Sequence, residues 1–253
     1  MIKPLFGTIN ASIAKAIAFN APKKYSRIVE PFGDNGSIAF ESSLKKPKEH
    51  ILNVSDEELF FQFDFIKNIS GSDKAKLKKF DWVASQETFD EVLSINVDTG
   101  PERFYKFMYL KKFGMQMDPE NPPVFDIFSD GTDESMVNFA IPVMKVALKK
   151  TIIMNDDPFS IMSKYGGSGD FMIILPKSTE DADAAESKLK GISGTFFYGA
   201  KRLDTDLIIE DAKKYSDFFV SKLNAPSIMM GKMSGITNYE SRLKPIVIEE
   251  MKM

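Results

Sequence analysis

Residues Ile28 to Phe40 read Ile-Val-Glu-Pro-Phe-Gly-Asp-Asn-Gly-Ser-Ile-Ala-Phe, and this stretch constrains the fold more than any other. A short apolar run, Ile28-Val29, leads into a turn rich in Gly, Asp and Asn, and a helix starts at Ser37. Strand, glycine turn and helix in that order open a nucleotide-binding α/β sheet. Gly33 and Gly36 tolerate backbone angles that other residues avoid, so the chain can pass close to a ligand there. Phe32 lies within the same turn. Glu30, at the end of the strand, offers a carboxylate to a cationic or amine-bearing ligand.

Strand-like and helix-like segments alternate along the rest of the chain, which predicts a mainly parallel sheet. Ile51–Val54, Ile152–Met154 and Met172–Leu175 read as further strands, the last as a buried central one because it is a continuous apolar run. Ser55 to Glu58 reads as a capping box at a helix start. Asp56 there favours the positive end of the helix dipole. Residues 58–147 read as a helical lobe, with helices over Phe60–Ile69, Phe89–Leu93, Pro101–Phe113 and Phe139–Leu148. Pro142 fits the first turn of the last of these. Gly71 to Phe80 reads as a surface loop carrying Lys74, Lys76, Lys78 and Lys79, a compact set suited to phosphate contacts. The division expected is an α/β core of residues 1–57 and 148–253 with the lobe between. Leu207–Ile209 reads as a strand, Ala212–Leu223 as a helix, and Met229–Met233 with Pro245–Glu249 as a closing hairpin.

Composition removes several chemistries. The chain of 253 residues has no cysteine, which excludes disulfide and thiol chemistry. His50 is its only histidine, so neither a histidine metal site nor a conventional triad is expected. A net charge of -3 gives no global basic field, although a local patch suffices for nucleic acid. No apolar run reaches membrane-spanning length. The expected setting is cytoplasmic, in a bacterial or virus-infected cell, a phage or prophage context included.

The Glu30-Pro31-Phe32 stretch and its glycine turn resemble the first motif of S-adenosylmethionine (SAM)-dependent methyltransferases, in particular the DNA-adenine methyltransferases of the Dam type. That family carries Glu-Pro-Phe-x-Gly-x-Gly-Ser; here Asp34 stands at the first of its two glycines. The ordered resemblance runs from Met1 to about Pro176. It includes Lys3 to Asn10 in place of a Gly-Gly-Lys loop, and Glu102-Arg103-Phe104-Tyr105-Lys106-Phe107-Met108-Tyr109-Leu110, which resembles the aromatic helix of the family's target-recognition insert. The resemblance implies a Rossmann-like SAM-methyltransferase fold with an inserted helical lobe. It implies cofactor positions at Glu30, Phe32, Gly33, Gly36, Asp56, Asp156 and Asp157. It also implies that Lys74, Lys76, Lys78, Lys79, Arg103 and Lys106 face DNA or RNA.

The departures fall where the family does its chemistry. The family's ribose-binding Asp corresponds to Val54, which accepts no hydrogen bond. Its Asp-Pro-Pro-Tyr motif corresponds to Leu175-Pro176-Lys177-Ser178. The family flips adenine out of the duplex, accepts hydrogen bonds from the amine with that Asp and stacks the Tyr on the ring. Loss of one preorganised polar group costs on the order of a hundredfold in rate, and here several are replaced. The expectation is a degenerate relative without methyltransferase activity, cofactor or metal, surviving as a nucleic-acid-binding or protein-binding subunit. The alternatives are an active SAM-dependent adenine methyltransferase and a structural subunit of a larger assembly.

Overall fold

The structure is a computed structural model that describes residues 17–18, 21–33, 36, 47–97, 99–115, 122–128, 136–176, 178–200, 227–232 and 243–245. The expected loop at Lys3 to Asn10, the helix from Ser37, the strand at Leu207–Ile209 and the helix at Ala212–Leu223 lie outside the described residues. In chain order the elements are β1 (Arg27–Glu30), β2 (Glu49–Asn53), α1 (Glu57–Asn68), α2 (Gly71–Leu77), α3 (Gln86–Ser94), α4 (Gly100–Phe113), β3 (Gly114–Met115), β4 (Val124–Phe125), a π-helical turn (Met136–Ala140), α5 (Ile141–Ala147), a 3-10 turn (Leu148–Lys150), β5 (Thr151–Met154), α6 (Pro158–Tyr165), β6 (Asp170–Ile174), α7 (Thr179–Leu189), β7 (Thr195–Ala200), β8 (Ser227–Lys232) and β9 (Leu243–Pro245). The chain divides into two compact units, Met1–Phe60 with Lys150–Met253, and Phe61–Lys149. Among the described residues no helix is long and apolar enough to cross a membrane.

The first unit is a mixed α/β unit of Rossmann-like character. Its sheet runs β5-β2-β1-β6-β7-β8-β9, parallel through β7 and antiparallel for the last two pairings. Side chains alternate across a strand, so the register sorts them onto two faces. Ile28, Phe171, Ile173 and Phe197 share one face with Ile17. Val29, Ile51, Met172, Ile174, Phe196 and Tyr198 share the other, against Ile161 and Met162 of α6 and Ala182, Ala185 and Leu189 of α7. β6 is buried along its whole length, as its unbroken apolar sequence requires. At the amino ends of the strands, Arg27 holds both carboxylate oxygens of Asp170, at 2.9 and 3.3 Å, and Glu49 at 3.1 Å. The hydrogen bonds that Arg27 donates to Asp170 are the main cause raising the Arg27 pKa, so the guanidinium stays charged.

The second unit is mainly helical, with an aromatic core. Phe104, Tyr105, Met108, Tyr109 and Phe113 of α4 are buried. Tyr105 lies face to face with Phe80 at 4.5 Å and edge-on to Trp82 at 4.8 Å. Its hydroxyl donates to the carbonyl of Asp81. The Tyr109 hydroxyl donates to Val83 O at 2.6 Å, and burial raises the pKa of both phenols. Each ring thus buries its apolar body and satisfies its polar end.

Three local expectations are corrected. Gly71 to Leu77 is helix α2, not loop. Ser70 Oγ accepts from Asp73 N, and Asp73 Oδ2 accepts from Ser70 N, each at 3.0 Å, a reciprocal cap that starts the helix. The Ser70 hydroxyl, which donates to Asp73 Oδ2 at 2.6 Å, and then the Ser70 N–H hold the Asp73 carboxyl below its ordinary pKa. The cap of α1 is Asp56 rather than Ser55, because Asp56 Oδ1 accepts from Leu59 N at 2.8 Å. Pro142 does sit in the first turn of α5, but the π-helical turn extends that helical path back to Met136.

Candidate functional site

Strand order fixes where a ligand belongs in such a sheet. From β1 the chain runs outward to β2 and β5 on one side, while β6 and β7 lie on the other. The order therefore reverses between β1 and β6, and open α/β sheets bind ligands outside the carboxyl ends of the strands at that point. Among the described residues, this edge is reached by Pro31–Gly33 after β1, Val54–Asp56 after β2, Asn155–Asp157 after β5, and Leu175 and Pro176 after β6.

Glu30 does not face outward. It is only 3% exposed, and its carboxylate bonds His50 Nε2 at 2.7 Å. His50 Nδ1 meets Thr151 Oγ1 at 3.1 Å. The register explains the chain of contacts. Ile28 pairs with His50 and His50 with Thr151, so Glu30, two residues beyond Ile28, lies on the same face as both partners. A carboxylate buried without a partner costs several kcal/mol, and the one histidine of the chain supplies that partner.

Asn53 links three strand ends. Its side-chain amide donates to Pro31 O and Asp156 O at 2.9 Å, and its Oδ1 accepts from Asp156 N at 2.9 Å. Asn155 adds a bond from Nδ2 to Val54 O at 2.7 Å. Val54 is fully buried, with its N–H donated to Met154 O. Gly33 is close-packed against the chain: a Cβ there would stand 2.3 Å from Leu52 Cδ1 and 3.0 Å from Asn53 O. Gly36 has φ of 65°, the left-handed conformation that glycine adopts readily, and closes the turn through its N–H to Gly33 O at 2.8 Å.

The remaining positions are also engaged within the unit. Phe32 is half-buried and meets Phe159 edge-on at 5.7 Å. Asp157 caps α6, accepting from Ser160 N and Oγ at 2.8 Å each. Desolvation raises the Asp157 pKa, and the bonds from Ser160 outweigh it and hold the carboxyl below its ordinary value. Ser178 caps α7 through Asp181 N at 3.0 Å. Leu175 packs against the apolar cluster around Phe171 and Ile173, and Pro176 is buried. Lys177 and Asp34 lie outside the described residues. Asp156 is exposed at this edge, with its N–H donated to Asn53 Oδ1. No group of three or more His, Asp or Glu among the described residues is placed to hold a metal ion.

These contacts test the fit of an adenosine-type cofactor. The ribose position is a buried valine, the neighbouring Asn53 has its amide and its carbonyl oxygen bonded, and Glu30, Asp56 and Asp157 each hold an internal partner. Among the described residues the set fits such a cofactor poorly. Sequence reading missed the contacts of His50 and Thr151 and the bracing bonds of Asn53. The signal for the first two was the shared alternation of Glu30, His50 and Thr151, legible only once the register is known.

The expected nucleic-acid contacts belong to the second unit and are treated separately. Lys76 pairs with Glu102, which the Lys76 hydrogen bond holds below its usual pKa. Arg103 lies 4.1 Å above the Phe61 ring. Lys106 Nζ donates to Leu93 O and Ile95 O at 2.9 and 2.6 Å, closing the carboxyl end of α3. Lys78 and Lys79 are exposed and Lys74 is half-buried. The α4 aromatics quoted above point mainly into the core rather than outward for base stacking.

No protein-family model matches the chain, and no curated protein is detectably similar to it.

Proposed function

We propose that the chain is a degenerate relative of the Dam-type DNA-adenine methyltransferases that keeps an α/β platform without its chemistry and acts as a nucleic-acid-binding or protein-binding subunit. The observation that carries the reading is the carboxyl end of β6. Where the family needs an acceptor for the adenine amine, Leu175 packs into the core, and where it needs a stacking ring, Ser178 caps a helix. The ordered resemblance supports the ancestry, and the engaged polar groups around Val54 and Asn53 support the loss of the cofactor.

The test is transfer of a labelled methyl group from SAM to adenine-containing duplex DNA, with calorimetric titration of SAM alongside. We expect no transfer and no micromolar binding. Leu175→Asp with Ser178→Tyr should restore little, because the cofactor positions differ too. Transfer by the natural chain that Leu175→Asp does not raise would overturn the proposal.

A further inference from the structure

The amino edge of the sheet lies opposite the edge of the candidate site, and the segments that lead into β5, β2, β1 and β6 meet there. Ser26 N donates to Gly169 O and Lys48 N to Ser26 O, each at 2.9 Å, so the approaches to β1, β2 and β6 run side by side. Thr151 pairs with His50, which sets Lys150 and Lys48 near neighbouring strand starts. The Tyr165 ring joins the end of α6 to the same edge. The Arg27 guanidinium lies over that ring at 4.9 Å and the Lys164 ammonium at 5.0 Å.

The charge of these segments is one-sided. Lys23, Lys24, Lys48, Lys150 and Lys164 are exposed. The carboxylates beside them are Glu49 and Asp170, and Arg27 holds both. Among the described residues, Lys23, Lys24, Lys48 and Lys150 form no ion pair. β5, β2 and β1 are neighbours in the sheet. Neighbouring strands lie about 4.8 Å apart, so Lys150, Lys48 and Lys24, one near each strand start, span about 10 Å. A nucleic-acid strand advances about 3.4 Å per phosphate, so a row of that span meets about three phosphates. Ser26 and Ser168 are exposed beside the lysines, and hydroxyls of this kind bond phosphate oxygens without reading bases. Among the described residues of these segments no large apolar side chain is exposed. A surface that docks on lipid combines basic side chains with inserted apolar ones, so the edge matches a nucleic-acid backbone better.

We propose that this amino edge is a further nucleic-acid contact, one that grips the phosphodiester backbone without sequence preference. It rests on the nucleic-acid-binding reading given above and deepens it, placing a contact on the sheet unit in addition to the lysines of the helical unit. It needs neither a cofactor nor the family's chemistry.

Fluorescence anisotropy of the full chain with a labelled duplex of about 20 base pairs, DNA in one arm and RNA in the other, reads this across a salt series. The tighter arm names the polymer. Lys24→Gln/Lys48→Gln/Lys150→Gln should weaken binding about tenfold or more and flatten the log–log salt slope by about two to three, since each phosphate contact contributes about 0.9. Circular dichroism should show that variant folded like the natural chain. Lys24→Arg/Lys48→Arg/Lys150→Arg keeps the charge and should bind within about twofold of the natural chain. A glutamine variant that binds like the natural chain overturns the inference. If glutamate at Lys74, Lys78 and Lys79 still weakens binding in that case, the nucleic-acid reading stands without this edge. A natural chain that binds neither duplex overturns the inference and turns the function reading to a protein partner. Equal loss with the arginine and glutamine variants overturns it too. So does binding to phosphatidylserine vesicles in place of either duplex, which assigns the edge to a membrane surface.

Discussion

The two units use their polar side chains in opposite directions. At the carboxyl edge of the sheet, most polar groups turn inward: Glu30 to His50, Asn53 to Pro31 and Asp156, Asp157 to its own helix. In the helical unit the aromatic rings fill the interior, and cations such as Lys78 and Lys79 remain outside. The sheet edge, where ligands of this architecture belong, is braced as a scaffold.

That contrast is broken most severely at His50. His50→Leu leaves the Glu30 carboxylate buried without its ring partner and should cost about 3–5 kcal/mol in denaturant unfolding. Glu30→Leu combined with His50→Leu should recover most of that loss. If the double variant is no more stable than the single one, the pair is not the unit that braces this edge. On the other unit, glutamate at half-buried Lys74 and exposed Lys78 and Lys79 together should change stability by no more than about 1.5 kcal/mol, about 0.5 kcal/mol per site. The same triple variant should lower affinity for duplex DNA in fluorescence anisotropy and flatten its salt dependence by about two to three in log–log slope. Unchanged binding moves the argument to a protein partner. The smallest effect is at Asp157. Its folded pKa is depressed, so it contributes stability above the ordinary aspartate value of 3.8 that is lost as pH falls through the folded value. Asp157→Asn keeps a capping oxygen and should cost a few tenths of a kcal/mol at pH 7, given its exposure. That gap should close on acidification; a gap constant down to pH about 3 contradicts the assigned role.

Much of the first unit was legible because its strands are short apolar runs bounded by turns, from Ile28-Val29 to the wholly buried β6. Their order in the sheet was not legible, since pairing across more than a hundred residues, as between Arg27 and Asp170, leaves no local trace. Helix α2 was hidden by its lysines and glycine, although Ser70 and Asp73 stood at capping-box spacing. The candidate site was half legible: the placing of Val54, Leu175 and Ser178 just past the ends of β2 and β6 could be read from the apolar runs, but the inward turn of Glu30 depends on which face His50 occupies. The spacing of the aromatic run at Phe104 to Phe113 favoured core over base-stacking surface, and Phe104, Tyr105, Tyr109 and Phe113 are indeed buried.

Trp82, the only tryptophan of the chain, lies in the helical unit, 2% exposed, with its indole N–H donated to Leu77 O at 2.9 Å. The only histidine is held in the other unit. Each unit thus carries a spectroscopic label that the other lacks. Indole emission follows the opening of the helical unit alone, and the imidazole proton resonances follow the sheet. Whether the two melt together or in sequence can be read from the unlabelled natural chain.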